Sequence, residues 1–283
     1  MLKVLDAILL STDYLKKKGI DEARLNSELM LADILGFKRL NLYLNYDKPL
    51  SEKETNLYRE YLARRGKFEP VQYILGYTEF WNYKFFVDKS VLIPRPDTEI
   101  LVETIINDYK TYQNTLSILD IGTGSGIIAI CLAKNLNCKV TAIDISLEAL
   151  TVAQNNANFN NIDNNITFKQ VDVLKSSATD FEKYDIIVSN PPYVSSIEFE
   201  NLQKEITEFE PKIAVTDYDD GYIFYKKISK LGTELLNDNG KVYFEIAKDT
   251  DTNLETIMKE NKYKNIKKVK DYANIYRVIT GEI

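Results

Sequence analysis

The sequence predicts a doubly wound α/β sheet with a small N-terminal helical bundle, the two joined by a β-hairpin. Three observations carry this. From residue 94 of the 283 onward, short apolar runs alternate with helical stretches, the βαβ pattern of a mainly parallel sheet. Residues 1–75 show helical spacing and no strand alternation. Between them Thr78, Phe80, Trp81, Tyr83, Phe85, Phe86 and Val87 are aromatic or β-prone, and Asp88-Lys89-Ser90 supplies a turn. The expected division is a helical domain over 1–75, a hairpin linker over 76–93 and a sheet domain over 94–283.

In chain order, Val4, Leu5, Ile8, Leu9, Tyr14 and Leu15 suit one face of a first helix that ends near Gly19. Asp21 can cap a second helix, with Ala23, Leu25, Leu29, Met30, Ile34 and Leu35 inward and Gly36 at its end. Ser51-x-x-Glu54 is a capping box that opens a third helix through Arg65. Pro94-Arg95-Pro96 is a rigid entry to a helix capped by Asp97 or Thr98. Strands are expected over 116–120, 140–145, 166–171, 184–189, 241–246 and 275–280. Helices between them end at Ala133 or cover 147–158, 222–236 and 253–260.

Composition narrows the chemistry. The chain contains no histidine, which excludes a histidine base, a Ser-His pair and histidine metal ligands; no metal is expected. No apolar run approaches the roughly 20 residues of a membrane span, and the N-terminus lacks a signal-peptide pattern. With only Cys131 and Cys138, no disulfide framework is implied, and a cytoplasmic location is expected. A net charge of -6 weighs against a protein that wraps long duplex DNA.

Residues 118–129 read as strand, glycine-rich turn and helix, with Asp120, Gly122, Thr123, Gly124, Ser125 and Gly126 at the junction. Such a turn brings backbone N–H groups close to a nucleotide-like ligand. The glycines run G-x-G-x-G, whereas nicotinamide sites usually run G-x-G-x-x-G. Asp144 ends the second strand, 144 − 124 = 20 residues after Gly124, where an acid can accept both ribose hydroxyls. Capping of the following helix suits Ser146 better. Asp172, ending the third strand, can either bond an adenine amino group or be an exposed turn acid; Val173 beside it can pack on the ring. Asn190-Pro191-Pro192-Tyr193 follows the fourth strand. Its two prolines hold the chain stiff at the strand's carboxyl end, where α/β sheets bind ligands. An amide side chain, a rigid carbonyl and an aromatic ring there can grip a flat NH2 group. Taken alone the motif is a turn; the order of glycine loop, two acids and NPPY favours a site.

NPPY resembles the signature of S-adenosylmethionine-dependent methyltransferases that modify a planar nitrogen. Glu69-Pro70-Val71-Gln72-Tyr73-Ile74-Leu75-Gly76, Phe80-Trp81 and Leu92-Ile93-Pro94-Arg95-Pro96-Asp97-Thr98-Glu99 are closer still. They resemble the protein-(glutamine-N5) methyltransferase family that modifies peptide chain release factors. The resemblance covers nearly the whole chain; Phe209-Glu210-Pro211, Asp220-Gly221 and Phe244-Glu245-Ile246 also fit, while Ala247-Lys248 and Val173 depart from the usual glycine and occasional tryptophan.

It implies a Rossmann-like class I methyltransferase sheet and S-adenosylmethionine as cofactor. Asp120, Gly122, Thr123, Gly124, Ser125, Gly126, Asp144, Asp172, Val173 and Asn190 would hold it. Asn190, Pro191, Pro192 and Tyr193 would act on the glutamine of the Gly-Gly-Gln loop in class-I release factors. Residues 1–75 would recognise that protein, and residues 94–99 would lie near the pocket. Neither a membrane nor a nucleic-acid substrate is expected. An adenine-N6 type nucleic-acid methyltransferase is the alternative; it would need a basic target-recognition region, which the pI of about 5.1 opposes. A cofactor-binding partner without catalysis is a further alternative, opposed by the intact NPPY.

Overall fold

The computed structural model describes residues 2–283, and its contacts divide the chain into two units. The first comprises residues up to Tyr77 together with Lys204–Phe209; the second comprises Thr78–Gln203 and Glu210–Ile283.

In the first unit, helices Val4–Lys17, Ala23–Leu35 and Glu52–Arg65 are joined by the short helices Arg39–Tyr43 and Val71–Leu75. Helix Val4–Lys17 buries Val4, Ala7, Ile8, Ser11 and Leu15, a stripe at three- and four-residue spacing. Leu5 and Leu9, expected inward, point out at 36% and 54% exposure. Helix Ala23–Leu35 also turns differently from expectation. Its buried face is Ala23, Asn26, Ser27, Glu28, Met30, Leu31 and Ala32, while Leu25, Leu29, Ile34 and Leu35 are not all drawn inward as the spacing suggests.

The reason is a polar interior. Glu28 accepts from Arg24 Nε, Arg39 Nε and the Tyr43 hydroxyl at 2.7–2.8 Å. Buried Arg65 donates to Asn26 Oδ1 at 2.8 Å and pairs with Glu205, which ties the remote segment Lys204–Phe209 into this unit. Asp21 does not cap the helix. Glu22 takes the N-cap position in left-handed backbone, with no side-chain cap. The capping box of Ser51 and Glu54 forms as expected.

The hairpin of β1 (Tyr77–Phe80) and β2 (Tyr83–Phe86) begins at the boundary, and its residues Phe80 and Phe85 are buried in the core of the second unit. Seven strands follow: β3 (Leu116–Ile121), β4 (Cys138–Asp144), β5 (Ile166–Gln170), β6 (Tyr184–Ser189), β7 (Leu236–Glu245), β8 (Lys264–Lys270) and β9 (Tyr276–Glu282). Their order is β5-β4-β3-β6-β7-β9-β8, with β9 antiparallel to its neighbours. The sequence pattern does not predict β8. In Lys-Asn-Ile-Lys-Lys-Val-Lys only Ile266 and Val269 are apolar, and a strand at the sheet edge carries charge where an inner strand would be apolar.

The inner strands read as near-continuous apolar runs because helices cover both faces. In β6, Tyr184, Ile186, Ile187, Val188 and Ser189 are all buried. The chain winds from β3 out to β5, then returns to β6 beside β3. Between β3 and β6 the strand order reverses, and the crevice at their carboxyl ends is where such sheets bind ligands.

Candidate active site

The carboxyl ends of β3, β4 and β6 open into a cavity of about 230 Å³. Its wall includes Gly122 and Gly124 after β3, Asp144 and Ile145 at β4, Asp172 and Val173 past β5, and Asn190, Pro191 and Pro192 after β6. The four motifs singled out in the sequence therefore meet in one place. The Ser189 hydroxyl donates to the Ile121 carbonyl at 2.7 Å, locking the ends of β6 and β3 together under the cavity.

The glycine turn shows a division of labour. Gly124 has φ +55°, and a Cβ built there meets nothing within 4 Å, so its backbone faces open cavity. Gly126 has φ +82°, and a Cβ there would stand 3.1 Å from Ala153 Cβ; it serves helix packing. Three further positions from the expected cofactor set also lie behind the loop and are absent from the cavity wall. The Thr123 hydroxyl donates to Asp120 Oδ2 at 2.7 Å, and the Ser125 carbonyl accepts from Asn156 Nδ2 at 2.9 Å. Asp120 itself is fully buried, with Oδ1 lacking any partner among the described residues. Burial pushes its carboxyl up to about 7, against the Thr123 bond.

Asp144 reaches the cavity from β4. Its Oδ2 accepts the Gly124 N–H at 2.9 Å and its Oδ1 the Ser146 N–H at 3.0 Å, so the carboxylate also braces the glycine turn. Burial raises its pKa despite these bonds. Ser146 caps the next helix by accepting from Ala149 N–H, as expected. Asp172 pairs with Lys175 at 3.0 Å, a contact that lowers its pKa, and it remains on the cavity wall beside buried Val173.

In the NPPY turn, Asn190 Nδ2 donates to Thr98 Oγ1 at 3.3 Å. Among the described residues no donor reaches Asn190 Oδ1 or the Pro191 carbonyl. Two acceptors are thus left on a proline-stiffened wall. Tyr193 does not line the cavity; its hydroxyl donates to Glu245 Oε1 at 3.3 Å, and burial followed by the Glu245 charge raises its pKa. Sequence reasoning misses Pro211, Ile213, Thr216, Asp217, Tyr218 and Phe224, which also line the cavity, on a segment that bridges to Val194 just after the NPPY turn. The signal available is the turn-rich Asp217-Tyr218-Asp219-Asp220-Gly221. Asp217 accepts the Asp219 and Ile223 N–H groups and shapes that segment.

Residues 6–76 match the family model described as the PrmC N-terminal domain, and residues 95–209 match the methyltransferase small domain. A release factor glutamine methyltransferase of Fusobacterium nucleatum subsp. nucleatum is 41% identical over 280 residues, covering 98% of this chain and 78% of that one. One from Chlorobaculum tepidum is 37% identical, covering 93% of this chain and 92% of its own. The chain belongs to the release factor glutamine methyltransferase family.

A crystal structure of a methyltransferase from Pyrococcus furiosus aligns with a TM-score of 0.52 at 20% identity, covering 72% of this chain and 90% of that one. It shows the shared fold alone. The cavity of this release factor glutamine methyltransferase family member lies at the sheet's switch point. No helix among the described residues is long and apolar enough to cross a membrane.

Proposed function

We propose that this protein transfers a methyl group from S-adenosylmethionine to the side-chain amide nitrogen of the glutamine in the Gly-Gly-Gln loop of class-I release factors. The observation that carries the reading is the pair of acceptors without a donor, Asn190 Oδ1 and the Pro191 carbonyl, on a stiff wall of the cavity. The family membership supplies the substrate class.

The residues present suit the cofactor. The backbone at Gly122 and Gly124 leaves open space that a Cβ would enter, Asp144 offers a carboxylate for two ribose hydroxyls, and Ile145, Val173 and Leu174 give apolar surface for a flat base. Asp172 is placed to accept from the base's amino group. Asp120, Thr123, Ser125 and Gly126 support this set by shaping the turn. The cofactor supplies an electrophilic methyl group on a sulfonium, with a neutral leaving group.

The chain's own task is to orient a poor nucleophile. An amide nitrogen shares its lone pair with its carbonyl. Asn190 Oδ1 and the Pro191 carbonyl each accept one N–H of the glutamine, aim the nitrogen at the methyl group and stabilise positive charge as it develops there. Pro192 keeps the turn rigid, and Tyr193 anchors it from behind through its hydroxyl's bond to Glu245. No base is needed before transfer, since the alkylated nitrogen is far more acidic.

Recognition of the folded release factor is assigned to residues 1–75, whose separate core lets them act as an independent surface. A cytoplasmic location and the absence of a nucleic-acid substrate follow from the same reading. Peptide-level mass spectrometry of a release factor after incubation with cofactor tests it. The expected product carries one added methyl on the Gly-Gly-Gln glutamine. An unmodified glutamine, or label on nucleic acid, contradicts it.

A further inference from the structure

The two polar side chains of the NPPY turn, Asn190 and Tyr193, lead back to one buried carboxyl group. Glu245 is the last residue of β7, and the register of Ser189 with Phe244 sets it beside the start of the turn. It is 1% exposed. Its Oε1 accepts the Tyr193 hydroxyl at 3.3 Å, while Oε2 has no partner by hydrogen-bond geometry among the described residues.

Thr98, also 1% exposed, stands beside this carboxyl and accepts from Asn190 Nδ2. A hydroxyl that accepts still carries a proton to donate, and the group facing it is Glu245. Asp97 and Arg277 act on the carboxyl in opposite senses, and the Tyr225 hydroxyl is occupied by the Glu245 backbone carbonyl at 2.7 Å. Burial is the largest influence and pushes Glu245 up to about 7. An acid kept in such a place costs stability, so an apolar residue would serve the fold better.

The orientation of Asn190 decides whether the clamp works. With Nδ2 held by Thr98, Oδ1 is free to accept from a substrate NH2. Rotating the amide by half a turn would present a donor to a donor. We propose that Glu245 is a positioning residue for methyl transfer, fixing the Tyr193 ring directly and the Asn190 amide through Thr98. This rests on the reading of the NPPY turn as an amide clamp.

The test uses the full chain with a release factor as substrate, and compares E245A, E245Q, T98V and the T98V/E245A double variant. Single-turnover rate, KM, cofactor affinity and thermal stability are measured for each. E245A is expected to lower the rate roughly 10- to 100-fold, the scale of a small misplacement at a reacting centre, with KM and cofactor affinity unchanged. E245Q keeps the shape and an acceptor for Tyr193, and restores most of the rate. The double variant is no slower than E245A, because both changes cut one chain of contacts. E245Q and T98V preserve volume, so the comparison stands if E245A does not fold. Wild-type rate in E245A overturns the proposal, as does E245Q no better than E245A, or multiplicative losses in the double variant. A wild-type protein that binds cofactor but leaves the glutamine unmodified overturns the clamp itself, and this proposal with it.

Discussion

Gly221 packs against the NPPY turn so closely that a Cβ there would stand 2.6 Å from the Tyr193 carbonyl oxygen. Its φ of +86° is a conformation that L side chains rarely adopt. Both facts point to a turn held from outside as well as by its own prolines. Gly221→Ala is therefore expected to push on the Tyr193 backbone and to cost about 1–3 kcal/mol of stability. The methylation rate should fall while cofactor affinity, set by residues remote from Gly221 in the chain, stays near wild type. Urea unfolding and single-turnover kinetics check this; an unchanged rate would mean that the turn tolerates displacement.

Asn156 plays a comparable part behind the glycine loop. Its Oδ1 accepts the Phe86 N–H at 2.7 Å, and its Nδ2 donates to the Phe86 carbonyl at 3.0 Å and the Ser125 carbonyl at 2.9 Å. The side chain is fully buried. Asn156→Ala leaves these groups without partners, and a loss of roughly 2–4 kcal/mol is expected, since each unsatisfied buried group costs about 1–3 kcal/mol. Denaturant titration measures it. A loss below about 0.5 kcal/mol, the range of ordinary surface changes, would contradict the clamp between hairpin and loop.

For the cofactor, Asp144→Ala should weaken S-adenosylmethionine binding by roughly 1.5–3 kcal/mol, the scale of a charge-assisted hydrogen bond. The carboxylate also braces the Gly124 N–H, so part of the loss comes through the turn. Titration calorimetry reads the change. Unchanged affinity would reject the ribose assignment.

Asp120 and Glu245 make the stability of the protein sensitive to pH. Burial raises both carboxyls to about 7 from ordinary values of 3.8 and 4.5. A carboxyl whose folded pKa is raised favours folding while protonated. Its contribution is full below the unfolded value and is lost as pH rises through the folded one. Stability should therefore decline between about pH 4 and pH 7, by up to about 1.4 kcal/mol for each tenfold fall in proton concentration and each carboxyl. Asp120→Asn and Glu245→Gln should each flatten that decline. Melting curves in which wild type and both variants fall in parallel would show that other groups are responsible.

Much of this site is legible in the chain, for physical reasons. Gly122 and Gly124 sit in a turn that demands positive φ, Asp144 is the last residue of its strand, and Asp172 and Asn190 come within two residues of the ends of theirs. What escapes depends on partners remote in sequence. Thr98 reads as a helix cap until Asn190 is beside it, and Glu245 reads as an ordinary strand end until the Tyr193 hydroxyl reaches it. The same holds for the fold. The buried face of Ala23–Leu35 differs from its apolar spacing because Asn26 and Glu28 are satisfied by Arg65, Arg39 and Tyr43, which no periodicity reveals. Thr123 and Ser125 read as ligand contacts from their place in the loop, yet their bonds turn inward to Asp120 and Asn156.

In the proposed function the two free acceptors of the NPPY turn hold the amide, and Asn190→Ala tests them most directly. Single-turnover methylation of a release factor should slow by on the order of 10²–10³, the usual loss when one positioned hydrogen-bonding group is removed, with cofactor affinity nearly unchanged. A variant that methylates the glutamine at close to the wild-type rate would show that Asn190 does not hold the amide.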